Sequence, residues 1–542
     1  MSRRIAGTIL SVWALICVAG LTATAQSFRV QCPTSTITHP DPGNTGVNSV
    51  EPAYTGPTTL KSTNPGNPAL GYLVPNGNAN GAVKCQQISG GDGYSTMGDG
   101  TQTYMFSFGP LSGLTDMAAG LPGTEFPNVF NQVYPGSTPL QPGDPATTDA
   151  GGTFTYNGAV GLTSDLDAIA AGTCTAPCLD GHVDPRQIMD IGVMNGNIPA
   201  PLMAIDEDDE FFLTLTNVGM IMRPDLFEQH TVHFHGYPNA SAFYDGVPDA
   251  SVAINIGGSF TYYYLAPDAG TYFWHCHITP PEHLQMGMVG QIYVRPRQNR
   301  VPPTKTLYAA LQAQQLDLRT ACNSTADVLC TNPLPVSDTG ATGGGKYAYN
   351  DGDGSTAYDV EYPLQINGFD PNFHFVGMTF NPEGFGDMKD KYFLLNGRSY
   401  PDTVTAGPLQ TQSADGVSHF SQPLPSIINI PHGGRALLRI SDLDVSEYQT
   451  LASLGIPMKV VGYNAKLLRD QAGNNMYYNT NSITLAGGES LDVILDACTN
   501  RTATSCTSFI PTGTYYLYTP NLDHLSNDAE NFGGLMTEVH VN

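Results

Sequence analysis

Basic residues are scarce in this chain. Lys and Arg number 22 against 48 Asp and Glu, a formal net charge of −26 over 542 residues. A surface that acidic disfavours nucleic acid and anionic membranes, and leaves room for a basic partner or for simple solubility. Charge of either sign is thin, at 13% of residues. Beyond residue 25 no apolar run reaches the roughly 20 residues a membrane-spanning helix needs. Long helical patterns are missing too. With 59 Gly and 41 Pro, breakers recur too often for them, and a turn-rich β architecture is favoured.

What is present begins with a leader. MSRR supplies a basic start, an apolar run follows through Leu21, and Ala23-Thr24-Ala25 offers a small-residue cleavage site. Residues 1–25 therefore read as a signal peptide, and the chain as secreted or periplasmic. Cysteine usage agrees with export. Of ten Cys, Cys17 leaves with the leader and Cys276 sits between two histidines. The other eight fall as neighbours: Cys32 with Cys85, Cys174 with Cys178, Cys322 with Cys330, and Cys498 with Cys506. Four disulfides in that pairing are expected of an oxidising compartment, with a metal site at Cys174, Cys178 and His182 as the competing reading. Asn239, Asn323 and Asn500 open N-x-S/T triplets, meaningful if the host glycosylates.

Taken in order, residues 26–100 look like an irregular arm, and 101–297 like a strand-rich domain interrupted by an insertion over about 112–185. Residues 298–354 read as a linker with an insertion, and 355–542 as a second strand-rich domain. The two domains repeat each other: LLNGRSYPDT at 394–403 answers VMNGNIPAP at 193–201, and GTYYLYTP at 513–520 answers GTYFWHCH. GLMTEVHV at 534–541 likewise answers GMVGQIYV. Laying VGY on HGY sets His230, His233 and His235 on Ile456, Lys459 and Val461. His275, Cys276 and His277 then fall on Tyr518, Thr519 and Pro520, with His283 on Glu530 and Met288 on Leu535. The fold expected is all-β, two antiparallel sandwiches with Greek-key connections and long irregular insertions.

The chemistry concentrates between His230 and Met288. HTVHFHG opens that stretch and HCHITPPEHLQMGM closes it. Two His and one Cys with a weak axial Met suit a blue-copper electron-transfer site, and the remaining histidines are too many for one metal. His39, His182, His374, His419, His432, His524 and His540 stand alone in the sequence and read as surface residues.

These motifs resemble those of the multicopper oxidase superfamily, which includes laccases and two-domain copper nitrite reductases. The resemblance implies cupredoxin-like sandwiches, copper as cofactor, and a division of ligands. His230, Cys276, His283 and axial Met288 would hold a type 1 copper, with Met286 a lesser axial alternative. His233 would serve a type 2 copper, and His235, His275 and His277 a type 3 pair. Asp245 would be a proton relay, although Asp-Gly is also ordinary turn chemistry. Two departures from the family pattern stand out. The Cys276-to-His283 spacing is two residues longer than usual, through Pro280-Pro281. Four H-x-H pairs build the family's oxygen-reducing cluster, and this chain has two. The expectation is an exported copper oxidoreductase that takes electrons from a small reductant or redox protein. It would pass them through Cys276 to a small acceptor such as oxygen, with a partner chain completing the cluster in an oligomer. The alternative is a non-catalytic blue-copper carrier or copper-binding protein.

Overall fold

The computed structural model describes residues 29–36, 60–62, 66, 73–75, 82–134, 156–207, 209–236, 241–266, 268–300, 344–377, 384–412, 416–502 and 505–542. The expected leader, His39, Asn239, and the Cys322–Cys330 pair with Asn323 lie outside the described residues.

The all-β expectation holds, and the strands form two sandwiches. The first contains β1 (Val83–Thr96), β2 (Gln102–Pro110), β3 (Met203–Asp206), β4 (Glu210–Gly219), β5 (His233–Phe234), β6 (Ser259–Leu265), β7 (Gly270–His275) and β8 (Val289–Arg295). One of its sheets runs β2-β1-β4-β6, the other β3-β8-β7-β5. β4 illustrates why these segments become strands. Phe211, Leu213 and Leu215 alternate into the core, while Thr214 and Thr216 on the other face meet Thr261 and Ser259 of β6 at 2.8 and 2.7 Å.

The second sandwich contains β9 (Val360–Phe369), β10 (Tyr392–Leu395), β11 (Ile428–Ile430), β12 (Arg435–Asp442), β13 (Gln449–Leu454), β14 (Met458–Tyr463), β15 (Ser482–Leu485), β16 (Glu489–Asp496), β17 (Gly513–Tyr518) and β18 (Met536–Val541). Its main strand orders are β10-β9-β12-β16-β14 and β11-β18-β17-β13-β15. The pairing repeats that of the first sandwich. β1 and β9 are each parallel to one neighbour and antiparallel to the other. β3 and β11 each run parallel to a closing strand, β8 or β18.

Strand pairing corrects the expected alignment. β5 pairs β7 with His233 opposite His275, and its counterpart β13 pairs β17 with Ala452 opposite Tyr518. β14, on which the HFH segment had been laid, belongs to the opposite sheet beside β16. His230 and His233 thus correspond to Gln449 and Ala452. The VGY/HGY likeness misplaced them because it compares local text, whereas register is set across the sheet.

Three further expectations change. Residues 26–100 are not irregular throughout, because β1 lies at the heart of its sheet. It is buried on both faces, so its polar and glycine-rich text (Gln86, Gln87, Gly90, Gly91, Gly93) shows no alternation. His374, His419 and His524 are buried rather than on the surface. Cys174 and Cys178 are disulfide-bonded, as are Cys32 with Cys85 and Cys498 with Cys506, which removes the competing metal site. Cys276 is the free cysteine among the described residues.

Candidate metal centre

His230 sits just before β5, bridged through its backbone to Ile254. Cys276 follows the last residue of β7, and His283 lies on α1 (Pro280–Gln285), the short helix that makes the loop back to β8. The extra residues at Pro280-Pro281 start this helix, where Pro is tolerated because its missing N–H would be unpaired anyway. All three side chains are buried. The Cys276 Sγ is 3.2 Å from His283 Nδ1 and 4.0 Å from His230 Nδ1. Nitrogen and sulfur ligands bonded at ~2.0 and ~2.3 Å to one tetrahedral ion lie roughly 3.5 Å apart, so this spacing fits a shared metal. Met288 joins through the backbone: its N–H donates to His283 O at 2.8 Å, and its carbonyl accepts from Cys276 N–H at 3.2 Å. Met286 is buried too.

Electrostatics prepares the sulfur. Burial alone would raise the Cys276 thiol, but the adjacent His283 charge and hydrogen bonds from His230 and His283 pull it well below its ordinary value. Thr231 N–H also donates to Sγ, at 3.4 Å. Burial works against protonation of His283, and the Cys276 sulfur and Glu228 overcome it, leaving the imidazole pushed up to about 9. Glu228 Oε2 lies 3.7 Å from His283 Nε2.

The second cluster stands on the other side of the Cys276 backbone. His233, His235 and His275 bring ligand atoms within 4.8 Å of one another. His277 adds a ring 5.0 Å from that of His233 and 5.5 Å from that of His275. His275 Nδ1–H donates to Cys276 O at 2.7 Å, which leaves its Nε2 lone pair facing His235 Nε2 at 2.9 Å. That confrontation is met either by a proton on His235 or by a metal ion. Burial holds both rings neutral, with His235 pushed down to about 4 and His275 to about 3. Neutral imidazole is the metal-binding form. His233 Nδ1–H donates to the Asp245 carbonyl at 2.7 Å, fixing which nitrogen faces inward, and the Asp245 carboxylate is 3.6 Å away. The donor set of each cluster therefore fits a copper ion, soft at Cys276 and imidazole-rich beyond it.

Two contributors escaped sequence reasoning. Glu228 gave no signal beyond its position two residues before His230. The other is Gly90 in β1, where a Cβ would come 2.7 Å from His230 Cδ2. Gly within a strand often marks such a close approach.

The second sandwich repeats this frame but keeps only a histidine of its ligand set. Thr519 N–H donates to Leu535 O at 2.9 Å and Leu535 N–H to His524 O at 3.0 Å, matching the two backbone bonds among Cys276, Met288 and His283. His524 pairs with Glu447 at 2.8 Å and with Gln449 at 2.9 Å, and stacks on Phe393, as His283 meets Glu228 and Phe106. His524, not Glu530, is thus the counterpart of His283. The longer loop from His524 to Leu535 hid the match.

Residues 180–299 match the family described as Multicopper oxidase. Laccase abr2 of Aspergillus fumigatus is 34% identical over 112 residues, covering 20% of this chain and 18% of that protein. A copper-containing nitrite reductase of Rhizobium meliloti is 35% identical over 109 residues, covering 19% of this chain and 26% of that protein. Among solved structures, the blue copper oxidase from Nitrosomonas europaea aligns at 21% identity and a TM-score of 0.42, over 64% of this chain and 78% of that one. The chain spans about a fifth to a quarter of the length of these curated relatives. Over residues 180–299, this chain is thus similar to multicopper oxidases.

Proposed function

We propose that the chain is an exported, copper-dependent oxidoreductase of multicopper oxidase type. His230, Cys276 and His283, with Met288 axial, are assigned to a type 1 copper, and His233, His235, His275 and His277 to type 2 and type 3 positions. One observation carries the reading: three consecutive residues are divided between two clusters. Cys276 turns its sulfur toward His230 and His283, while the rings of His275 and His277 stand with His233. Copper bound in such sites supplies one-electron redox chemistry. The protein's own part is to keep the Cys276 sulfur dry and ionised and to join the clusters by one short covalent stretch. Asp245 orients His233 through its carbonyl and sets a carboxylate nearby, where a proton can be held for the acceptor.

A small reductant or a redox protein is expected on the His283 side, beside Glu228. A small acceptor such as oxygen is expected at the second cluster. Among the described residues the chain offers two H-x-H pairs, so a partner chain in a homo- or hetero-oligomer is the expected source of the rest. The disulfides support a secreted or periplasmic setting.

Copper stoichiometry, visible and electron paramagnetic resonance spectra, and oxygen uptake test this on the full chain. More than one copper per chain is expected. The blue band should vanish in Cys276→Ser, and the further copper and turnover in His235→Ala. One copper with a blue band and no oxygen uptake would leave an electron carrier and overturn the oxidase reading.

A further inference from the structure

We propose that Asp390, in the second sandwich, is a positioning residue for the metal-ligand loop of the first, acting through Gln285. The inference rests on the copper assignment above. Gln285 is the last residue of α1, two positions after His283, and its side chain is wholly buried. Both ends of its amide leave the first sandwich. Nε2 donates to Asp390 Oδ1 at 2.9 Å, and Oε1 accepts from the backbone N–H of Asp370 at 3.0 Å. Leu284, its neighbour, packs against a cluster shared by the sandwiches, with Phe369, Tyr392 and Leu443 from the second and Met105, Phe273 and Val289 from the first. Of the two side chains after His283, Leu284 thus lies at the seam and Gln285 is anchored in the second sandwich, while Met286 and Met288 enter the first core.

The anchor is itself built. The Asp390 carboxylate accepts from Ser446 Oγ as well as from Gln285. Asp370 caps the residues after β9, accepting from Asn372 N–H at 2.8 Å and from Lys389 N–H at 2.8 Å, which fixes the approach to β10. Gly368 leaves room for this arrangement, since a Cβ there would collide with Asp390 and Asp444. A buried amide that loses a partner has no water to replace it. It must move, and α1 carries His283 with it. A tilt of that one-and-a-half-turn helix changes how the His283 ring meets the Cys276 sulfur, now 3.2 Å away.

The test uses the copper-loaded full chain and reads the type 1 visible band, the electron paramagnetic resonance splitting and the reduction potential. Gln285→Leu is expected to shift the band and to change the oxidised-to-reduced equilibrium at least tenfold, about 59 mV for one electron. Gln285→Glu sets a third carboxylate against Asp390 and Asp444 and should disturb the site more. The double variant Q285E/D390N exchanges donor and acceptor and should recover wild-type spectra and potential. That rescue separates positioning from packing alone. A blue wild type whose three variants keep its spectrum and potential, with only thermal stability lowered, overturns this inference alone. A wild type with no blue band overturns the copper assignment and this inference with it.

Discussion

Gly90 decides whether His230 reaches Cys276. A methyl group at that position would lie 2.7 Å from Cδ2 and 3.3 Å from Cγ of a ring with no space to retreat into. Overpacking of this kind costs about 1–3 kcal/mol and pushes side chains off their rotamers. Gly90→Ala is therefore expected to weaken copper binding at the first cluster about tenfold or more, the fold being retained. A copper titration followed in the visible band measures it, and unchanged affinity would show that the ring can yield. Such a residue is invisible in the sequence, where Gly90-Gly91-Asp92-Gly93 falls in the stretch read as an irregular arm. The seven clustered residues, six histidines and Cys276, were legible because their spacing is local and their chemistry uncommon. Burial of His374, His419 and His524 was not, because it is decided by distant parts of the chain, with partners 270 residues away for His374 and 75 for His524.

Between elements, the join of the two sandwiches depends on charge as well as apolar packing. Glu361 on β9 receives Arg439 of β12 at 3.1 Å and Arg295, at the end of β8, at 2.7 Å. Arg439 also lies over the Tyr293 ring at 4.6 Å. Burial would raise the Glu361 carboxyl, but Arg295 and Arg439 bring it down to about 2. A carboxyl depressed in the folded state stabilises the fold above its unfolded value. That contribution, about 3 kcal/mol, is lost as pH falls from the unfolded value of 4.5 through about 2. Glu361→Gln should forfeit it at neutral pH, with a total loss of roughly 3–5 kcal/mol for a broken buried pair. Denaturant unfolding at pH 7 and at pH 3 checks this: the gap between wild type and variant should narrow at the lower pH. At this scale the sequence was uneven. Alternating strands such as β4 declared themselves, and the repeat was read from β7, β8 and their counterparts. β1 did not, because a strand covered on both faces has no polar side to alternate with.

For the whole molecule, sequence text sufficed for an all-β chain with a duplicated core and for nominating a copper-binding segment. It could not give the pairing that sets Gln449 in the place of His230, nor the contact from Gln285 to Asp390. Those depend on which sheet a strand joins, and a likeness of three letters does not encode that.

The frame around His524, which lacks the cysteine, has a bearing on the order of events in maturation. With Thr519 for Cys276, Leu535 for Met288 and Gln449 for His230, the same backbone bonds close the same loop. The second sandwich is a built-in control: Thr519, Leu535 and Gln449 do not make the ligand set of the first, yet the loop closes on the same backbone bonds. The cage of the first sandwich is therefore expected to close before a metal enters it, and the chain to be loaded after folding. Amide exchange across Cys276–Met288 should accordingly be as slow in the metal-free protein as in the loaded one. Fast exchange that slows only on loading would make the ion part of the folding reaction instead.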